Sequence, residues 1–352
     1  MLYNPGMSTQ PAAPLISVVI PNYNGAAYLE TCLQSLMQQT YPHIEVIVVD
    51  NDSRDHSVEI VQRVAPHARI LPQEHNLGFA AAVNAGIKAA AGEWIAVLNN
   101  DTEAASDWLA ECVAAIGRHP DASFLASRIL EYHRRELIYS AGDCFLRAGI
   151  GYRRGQELPD GSEYGSEIRI FSCCGCAALY HKATLQENHG YDEQFFAYME
   201  DVDLGLRLQA AGERGHYMPA ARVFHLGGAT SGGEFAPLAV RLRTRNSILL
   251  LLKSVPWRVL WRCLPMIFVA QVFWFGRAMV HGRLWSYLRG VAGVIPLAPT
   301  MLRRRRNLRT LWKSSGEQLW RSILESDNLA RRDVSRSGTG TSRFLTLYFR
   351  LF

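Results

Sequence analysis

Acidic residues are scarce in the last third of this chain. Residues 241–352 hold 4 Asp/Glu against 21 Lys/Arg, a balance of +17. Residues 1–240 hold 28 against 16, a balance of −12, and the two sum to the net charge of +5. No secretory leader is expected, because the first fifteen residues have no basic start and no sustained apolar core. No zinc set is complete: Cys173-x-x-Cys176 has no second pair or neighbouring histidine to finish it. The seven cysteines are odd in number and scattered, which fits buried thiols in a reducing cytoplasm and excludes a disulfide scaffold. No internal repeat occurs, and the only biased run is Arg303-Arg304-Arg305-Arg306.

At 352 residues the chain is long enough for one large or two ordinary domains. Three apolar runs in its first third each end in small polar and acidic residues. Ile16 to Ile20 runs into Pro21-Asn22-Tyr23-Asn24-Gly25, Val46 to Val49 into Asp50-Asn51-Asp52-Ser53, and Trp94 to Leu98 into Asn99-Asn100-Asp101-Thr102. Such continuous runs read as strands buried on both faces, as in a parallel sheet. Ligands of open α/β sheets bind beyond the carboxyl ends of the strands. One such cluster is equally well a helix cap; three in succession read as a binding edge.

Between these strands the periodicity gives helices. Tyr28, Leu29, Cys32, Leu33, Leu36 and Met37 share one face, Ser57–Ala65 follows, and Gly78–Ala90 is alanine-rich. Arg69–Leu71 is a short strand, Asp107–His119 a helix and Ser123–Ile129 a strand. Residues 131–167 read as a long irregular connection over the substrate site, and Ile168–His181 as a single strand containing the Cys173–Cys176 thiols. Loop and helix fill Gly190–Gly212, and a last short strand over Ala221–Phe224 ends at His225. The alternation predicts a doubly wound α/β domain over residues 15–240, after a disordered segment at residues 1–14.

The basic tail, residues 241–352, is also apolar, so an anionic membrane fits it better than nucleic acid. Its apolar stretch between Arg262 and Arg277 is shorter than the ~20 residues of a spanning helix and contains Pro265 and Gln271. Trp, Phe and Arg interleaved in this way fit amphipathic helices in the membrane interface. A buried helical subdomain with a basic outer face is the alternative.

In order and spacing, the motifs resemble family 2 glycosyltransferases of the GT-A fold, in their rhamnosyltransferase-like branch. They are Val18-Val19-Ile20-Pro21-Asn22-Tyr23-Asn24, Val48-Val49-Asp50-Asn51-Asp52-Ser53, Asn76-Leu77-Gly78-Phe79-Ala80 and Leu98-Asn99-Asn100-Asp101. Phe195-Phe196-Ala197-Tyr198-Met199-Glu200-Asp201-Val202-Asp203-Leu204 and His225-Leu226-Gly227-Gly228-Ala229-Thr230 complete the set, and the tail lies outside it. The resemblance implies a mostly parallel nucleotide-binding sheet flanked by helices, followed by the helical tail. It implies inverting transfer from a dTDP- or UDP-sugar to a lipid-linked or polysaccharide acceptor at the cytoplasmic membrane face.

The resemblance also assigns residues. Asp50 would accept a hydrogen bond from the uracil or thymine ring N–H, with Pro21, Asn22, Tyr23 and Asn24 lining base and ribose. Asn76 and the helix start after it would support the nucleotide, and Asn100 would meet the ribose. Asp101 would hold Mg²⁺ or Mn²⁺, joined by His225; the Asn99-Asn100-Asp101 element offers one carboxylate where the family pattern has two. Asp201, with an ordinary pKa near ~4, would take the acceptor's proton, supported by Glu200. Asp203 would be a helix-surface or supporting acid, and Gly175 and Cys176 would floor the donor-sugar pocket. At a helix start, Glu200 and Asp201 are equally explained by the helix dipole. A nucleotidyltransferase is the enzymatic rival, but Pro21–Gly25 lacks the basic residue that would hold a triphosphate. A non-catalytic nucleotide-sugar-binding or membrane scaffold protein is the other alternative.

Overall fold

The computed structural model describes residues 13–227, 233, 235–336 and 343–352. Of the segment expected to be disordered, residues 1–12 lie outside these, as do Gly228, Ala229 and Thr230 of the last motif. The first half alternates as expected: β1 (Ile16–Asn22), α1 (Ala26–Met37), β2 (Ile44–Asp50), α2 (Ser57–Val64), β3 (Arg69–Pro72), α3 (Phe79–Ala89) and β4 (Trp94–Leu98). β1 pairs in parallel with both β2 and β4, and β2 with β3. Side chains alternate across this sheet. Ile16, Val18 and Ile20 enter a core with Leu29 and Leu33 of α1, while Val19 enters the opposite core with Val83 and Ile87 of α3. The alanine-rich α3 lies so close that a Cβ on Gly86 would meet Val19 Cγ1 at 2.2 Å.

After β4 come β5 (Thr102–Ala104), α4 (Trp108–Arg118) and β6 (Phe124–Glu131). Residues 131–167, expected to be irregular, contain β7 (Ile138–Ser140) and a hairpin of β8 (Asp143–Leu146) and β9 (Ile150–Arg153). Strands of three or four residues are too short to show a period of two. The strand expected over Ile168–His181 is two, β10 (Ile168–Ile170) and β11 (Ala177–His181). Cys173, Cys174 and Cys176 are buried in the turn between them, so the thiols are not in a strand. A buried turn has the apolar composition of a strand, which is why the sequence joined the two.

α5 (Lys182–Glu187), α6 (Glu200–Ala210) and β12 (Gly215–His225) complete the sheet, whose order is β10-β12-β6-β11-β4-β1-β2-β3. β11 runs antiparallel to β4 and β6. β12 begins six residues earlier than the Ala221 expected, with a register shift between Met218 and Arg222.

Helices fill the tail: α7 (Pro237–Ser254), α8 (Trp257–Val280), α9 (Leu284–Ala292), α10 (Ala298–Leu308), α11 (Gly316–Arg336) and α12 (Arg343–Leu351). The division placed at residue 240 falls inside α7. Leu249 and Leu250 of α7 share a core with Phe195, Val202 and Leu206, so the tail packs on the segment carrying Glu200 and Asp201. α8 runs for 24 residues straight through Pro265, and by length and composition alone it could cross a membrane. The helix is thus longer than the apolar stretch between Arg262 and Arg277 that the sequence marked, and Pro265 and Gln271 lie within it.

Candidate active site

Parallel register brings the strand ends together. Asn22 lies opposite Asp50 across β1 and β2. Asn22 Nδ2 donates to Asp50 Oδ1 at 3.3 Å and to Ser53 Oγ at 3.1 Å, while Asn100 Nδ2 donates to Asn22 Oδ1 at 2.7 Å. Groups after three parallel strands thus form one hydrogen-bonded chain. Gly25 makes room for it, since a Cβ there would lie 2.1 Å from Asn100 Nδ2. Asn51 Nδ2 donates to Asn76 Oδ1 at 3.0 Å, and Asn51 Oδ1 accepts from the Leu77 amide, which fixes the turn ahead of α3. Asn51 was quoted in a motif but given no role from sequence.

A cleft of about 1250 Å³ opens along this edge, and Pro21, Asn22, Tyr23, Asn76 and Asn100 line it. Asp50 and Asn24 stand behind that lining. Asp50 is 7% exposed and also accepts from the Ser53 amide. Asn24 has a φ of +48° and accepts from the Arg54 amide at 2.8 Å.

Asp101, from the turn between β4 and β5, and His225, from the end of β12, line the same cleft. His225 Nε2 lies 3.0 Å from Asp101 Oδ1, and the Tyr139 ring packs edge-on to the imidazole at 4.4 Å. His225 Nδ1 is buried and, among the described residues, without a partner. A carboxylate and an imidazole beside an open, polar cleft fit a divalent cation that also takes phosphate and water.

Asp201 reaches the cleft from the first turn of α6. Its Oδ2 accepts from the Gly175 amide at 3.1 Å and its Oδ1 from the Val202 amide at 2.8 Å. The Asp143 carboxylate, the Cys174 thiol and the Asp201 carboxylate converge within 4.8 Å of one another. Burial raises the Asp201 carboxyl above the usual carboxylate value, which corrects the ordinary pKa expected for it. Burial, then the Asp201 charge, pushes Asp143 up to about 7. Burial, then Asp201, also raises Glu200 well above the ordinary value, and Glu200 Oε2 lacks a hydrogen-bond partner among the described residues. Three acids thus share one desolvated neighbourhood. Arg153, stacked on Tyr139 at 4.1 Å, lines the same cleft.

The segment before Asp201 is strained. Phe196, Tyr198 and Met199 all have φ between 65° and 70°, a region costly for side chains of this size. Asn246 of α7 holds it, its Nδ2 donating to the carbonyls of Phe195, Ala197 and Tyr198 at 2.7–2.9 Å. Asp203 is not on the helix surface. It is fully buried, accepting from Lys253 Nζ at 2.6 Å, Ser254 Oγ at 2.7 Å and Arg207 Nε at 2.9 Å. Sequence reasoning missed Asp143, Arg153 and Asn246 as site residues. Gly142, at φ +88° before Asp143, was the local sign of a forced turn; nothing local marks Asn246.

The helix-flanked sheet, its polar carboxyl edge and the acid at the start of α6 define a GT-A type fold. The chain belongs to glycosyl transferase family 2, whose family model matches residues 17–187. Over 238 residues it is 31% identical to the N-acetylglucosaminyl-diphospho-decaprenol L-rhamnosyltransferase of Mycobacterium tuberculosis, covering 60% of this chain and 76% of that one. Among solved structures it resembles S. aureus TarS in complex with UDP-GlcNAc, with a TM-score of 0.55, 17% identity, and 90% and 92% of the two chains covered. It also resembles GalNAc-T7 with UDP, GalNAc and Mn²⁺, with a TM-score of 0.56 and 17% identity over 70% of this chain and 49% of that one, about half its length. The protein is a glycosyltransferase, and the nucleotidyltransferase alternative is closed.

Proposed function

We propose that this glycosyltransferase moves a sugar with inversion from a dTDP- or UDP-linked donor to a lipid-linked or glycan acceptor in cell-envelope synthesis. Rhamnose is the sugar named for the mycobacterial relative. The observation that carries the reading is one cleft lined by strand-end Asn22 and Asn100, by Asp101 and His225, and by Asp201. In this reading Pro21–Asn24, Asp50, Asn76 and Asn100 hold the nucleotide, with Asp50 acting through the loop it braces. Asp101 and His225 hold Mg²⁺ or Mn²⁺, which when bound supplies Lewis-acid stabilisation of the departing diphosphate.

The acceptor hydroxyl attacks the anomeric carbon as the bond to the diphosphate breaks. Its proton passes to Asp201, whose oxygens are aimed by the Gly175 and Val202 amides. The raised pKa makes Asp201 a better proton acceptor once ionised. Glu200, whose carboxyl is raised by burial and then by the Asp201 charge, supports Asp201 from the same turn of α6. Gly175 and Cys176 line the cleft beside Asp201, where the donor sugar would sit. The exposed apolar faces of α8 and α9 support action at the cytoplasmic membrane surface.

A screen of sugar nucleotides for protection against thermal unfolding, with and without Mn²⁺, tests the reading. A ligand at 100 times its Kd stabilises by about 2.7 kcal/mol. A dTDP- or UDP-sugar should raise the melting temperature, more so with Mn²⁺. No shift from any nucleoside-diphosphate sugar would sink the proposal.

A further inference from the structure

The cleft does not stop at the sheet edge. It continues between α7, α8 and α12, where its lining changes from polar and acidic to apolar and basic. Leu242, Ala270, Phe273, Trp274 and Phe344 contribute the apolar wall, and Arg243 and Arg277 stand within it. Among the described residues, no acidic side chain of the tail lines the cleft. All the lining acids come from the catalytic domain.

This wall is built firmly. Trp274 Nε1 donates to Thr244 Oγ1 at 2.8 Å, tying α8 to α7, and Phe273 packs on Phe344 of α12 at 4.7 Å. Arg243 lies over the Tyr198 ring at 4.9 Å, and so beside the strained segment ahead of Asp201. Arg277 sits over Phe235 at 4.6 Å, and its Nε is buried with no hydrogen-bond partner among the described residues. A desolvated guanidinium donor on a cleft wall calls for an anion. The apolar side chains beside it call for hydrocarbon, and a free sugar or a soluble glycan offers neither.

We propose that this half of the cleft is the acceptor subsite, and that it takes a phosphate- or diphosphate-linked lipid. The anionic head lies against Arg277 and Arg243, and the hydrocarbon chain lies along Phe273, Trp274 and Phe344. The inference rests on the glycosyltransferase reading and narrows its acceptor to the lipid-linked kind. Arg277 and Trp274 are specificity-determining residues in this account. α8 meets the acceptor with this face and carries exposed apolar residues on another, so the chain of a membrane-borne lipid has a short path into the cleft.

The test uses the full chain with farnesyl diphosphate as probe, read by tryptophan fluorescence, with farnesol and inorganic diphosphate as controls. Farnesyl diphosphate should bind with UDP already saturating, and both controls should bind at least about tenfold more weakly. Arg277→Gln and Arg243→Gln should each weaken farnesyl diphosphate binding by about tenfold, with UDP affinity unchanged. The Arg243 variant keeps the test decisive if the Arg277 variant unfolds. Displacement of the probe by UDP would put it in the nucleotide site and overturn the proposal. So would farnesol binding equally tightly, or both variants binding like wild type. If neither UDP nor dTDP binds, the proposed nucleotide-sugar reading falls instead, so the two failures are distinguishable.

Discussion

Asp201 carries a double burden in the proposed mechanism, since it is half-buried among other acids yet must be ionised to accept a proton. Asp201→Asn should lower transfer by about 10²–10⁴, with donor binding kept because the proposed nucleotide contacts lie on the strand ends. Single-turnover assays beside nucleotide titration check this, and wild-type turnover would return Asp201 to a helix-dipole role. Asp143 titrates beside it, its carboxyl pushed up to about 7 by burial and then by the Asp201 charge. Burial raises the Asp201 carboxyl as well, so transfer should keep rising with pH above the ordinary carboxylate value of about 4. Asp143→Asn removes the like charge and should move the acid limb of kcat to lower pH; a limb that stays in place would separate Asp143 from the titration. Stability follows the opposite course. Between the unfolded value of about 3.9 and about 7 the native state binds more protons than the unfolded chain, so stability falls as pH rises through that window. Asp143→Asn should thus gain melting temperature over wild type at pH 8 and gain least at pH 4, with the Ser140 hydroxyl, 2.7 Å from Asp143 Oδ1, still able to donate.

Among the elements, α7 reaches furthest into the site while lying outside the residues matched by the family model. Asn246 binds three carbonyls of the strained turn, and Lys253 joins Asp192 and Asp203 at 2.7 and 2.6 Å. Asn246→Ala takes this donor from the Ala197 and Tyr198 carbonyls, while Phe195 O keeps Arg245 Nη2 and the Ala197 amide, and should cost about 1–3 kcal/mol of stability. It should also lower kcat, because Asp201 follows directly on that turn, while leaving UDP affinity near wild type. Thermal melts with paired kinetic and binding assays check this, and an unchanged kcat would make Asn246 merely structural. β1, β2, β4 and α3 were legible in the sequence because parallel strands buried on both faces read as unbroken apolar runs, with their polar ends displayed beside them. The turn at Cys173–Cys176 was not, since it is as apolar as the strands it separates. Asp203 was misread for another reason. Its partner Lys253 lies 50 residues away, and no local pattern distinguishes a buried, paired acid on a helix from an exposed one.

The whole molecule is polarised in charge and in apolar exposure, and the two coincide in the tail. On α8, Trp257, Trp261, Leu264, Phe268, Val272, Phe275 and Met279 recur at steps of three and four, and all are exposed, Trp261 and Phe268 by about 70%. Such spacing makes one stripe along a helix about 36 Å long. α9 extends the exposed apolar surface with Trp285 and Leu288. Each large apolar side chain withdrawn from water contributes about 1.5–3 kcal/mol, and each Lys or Arg near an anionic bilayer about 1 kcal/mol. A helix with one solvent-facing apolar stripe and arginines beside it therefore fits a lipid interface. The full-length protein should sediment with vesicles containing anionic lipid. High salt should release part of it, because screening acts within a Debye length of about 8–10 Å, and the apolar contacts should leave a fraction that only detergent removes. The double variant Trp261→Ser with Phe268→Ser should lose that salt-resistant fraction while binding nucleotide as before, since both side chains point away from the core. Protein left in the supernatant at low salt would defeat the membrane reading. A concentration-dependent dimer in the same experiment would instead give the stripe to a second copy of the chain.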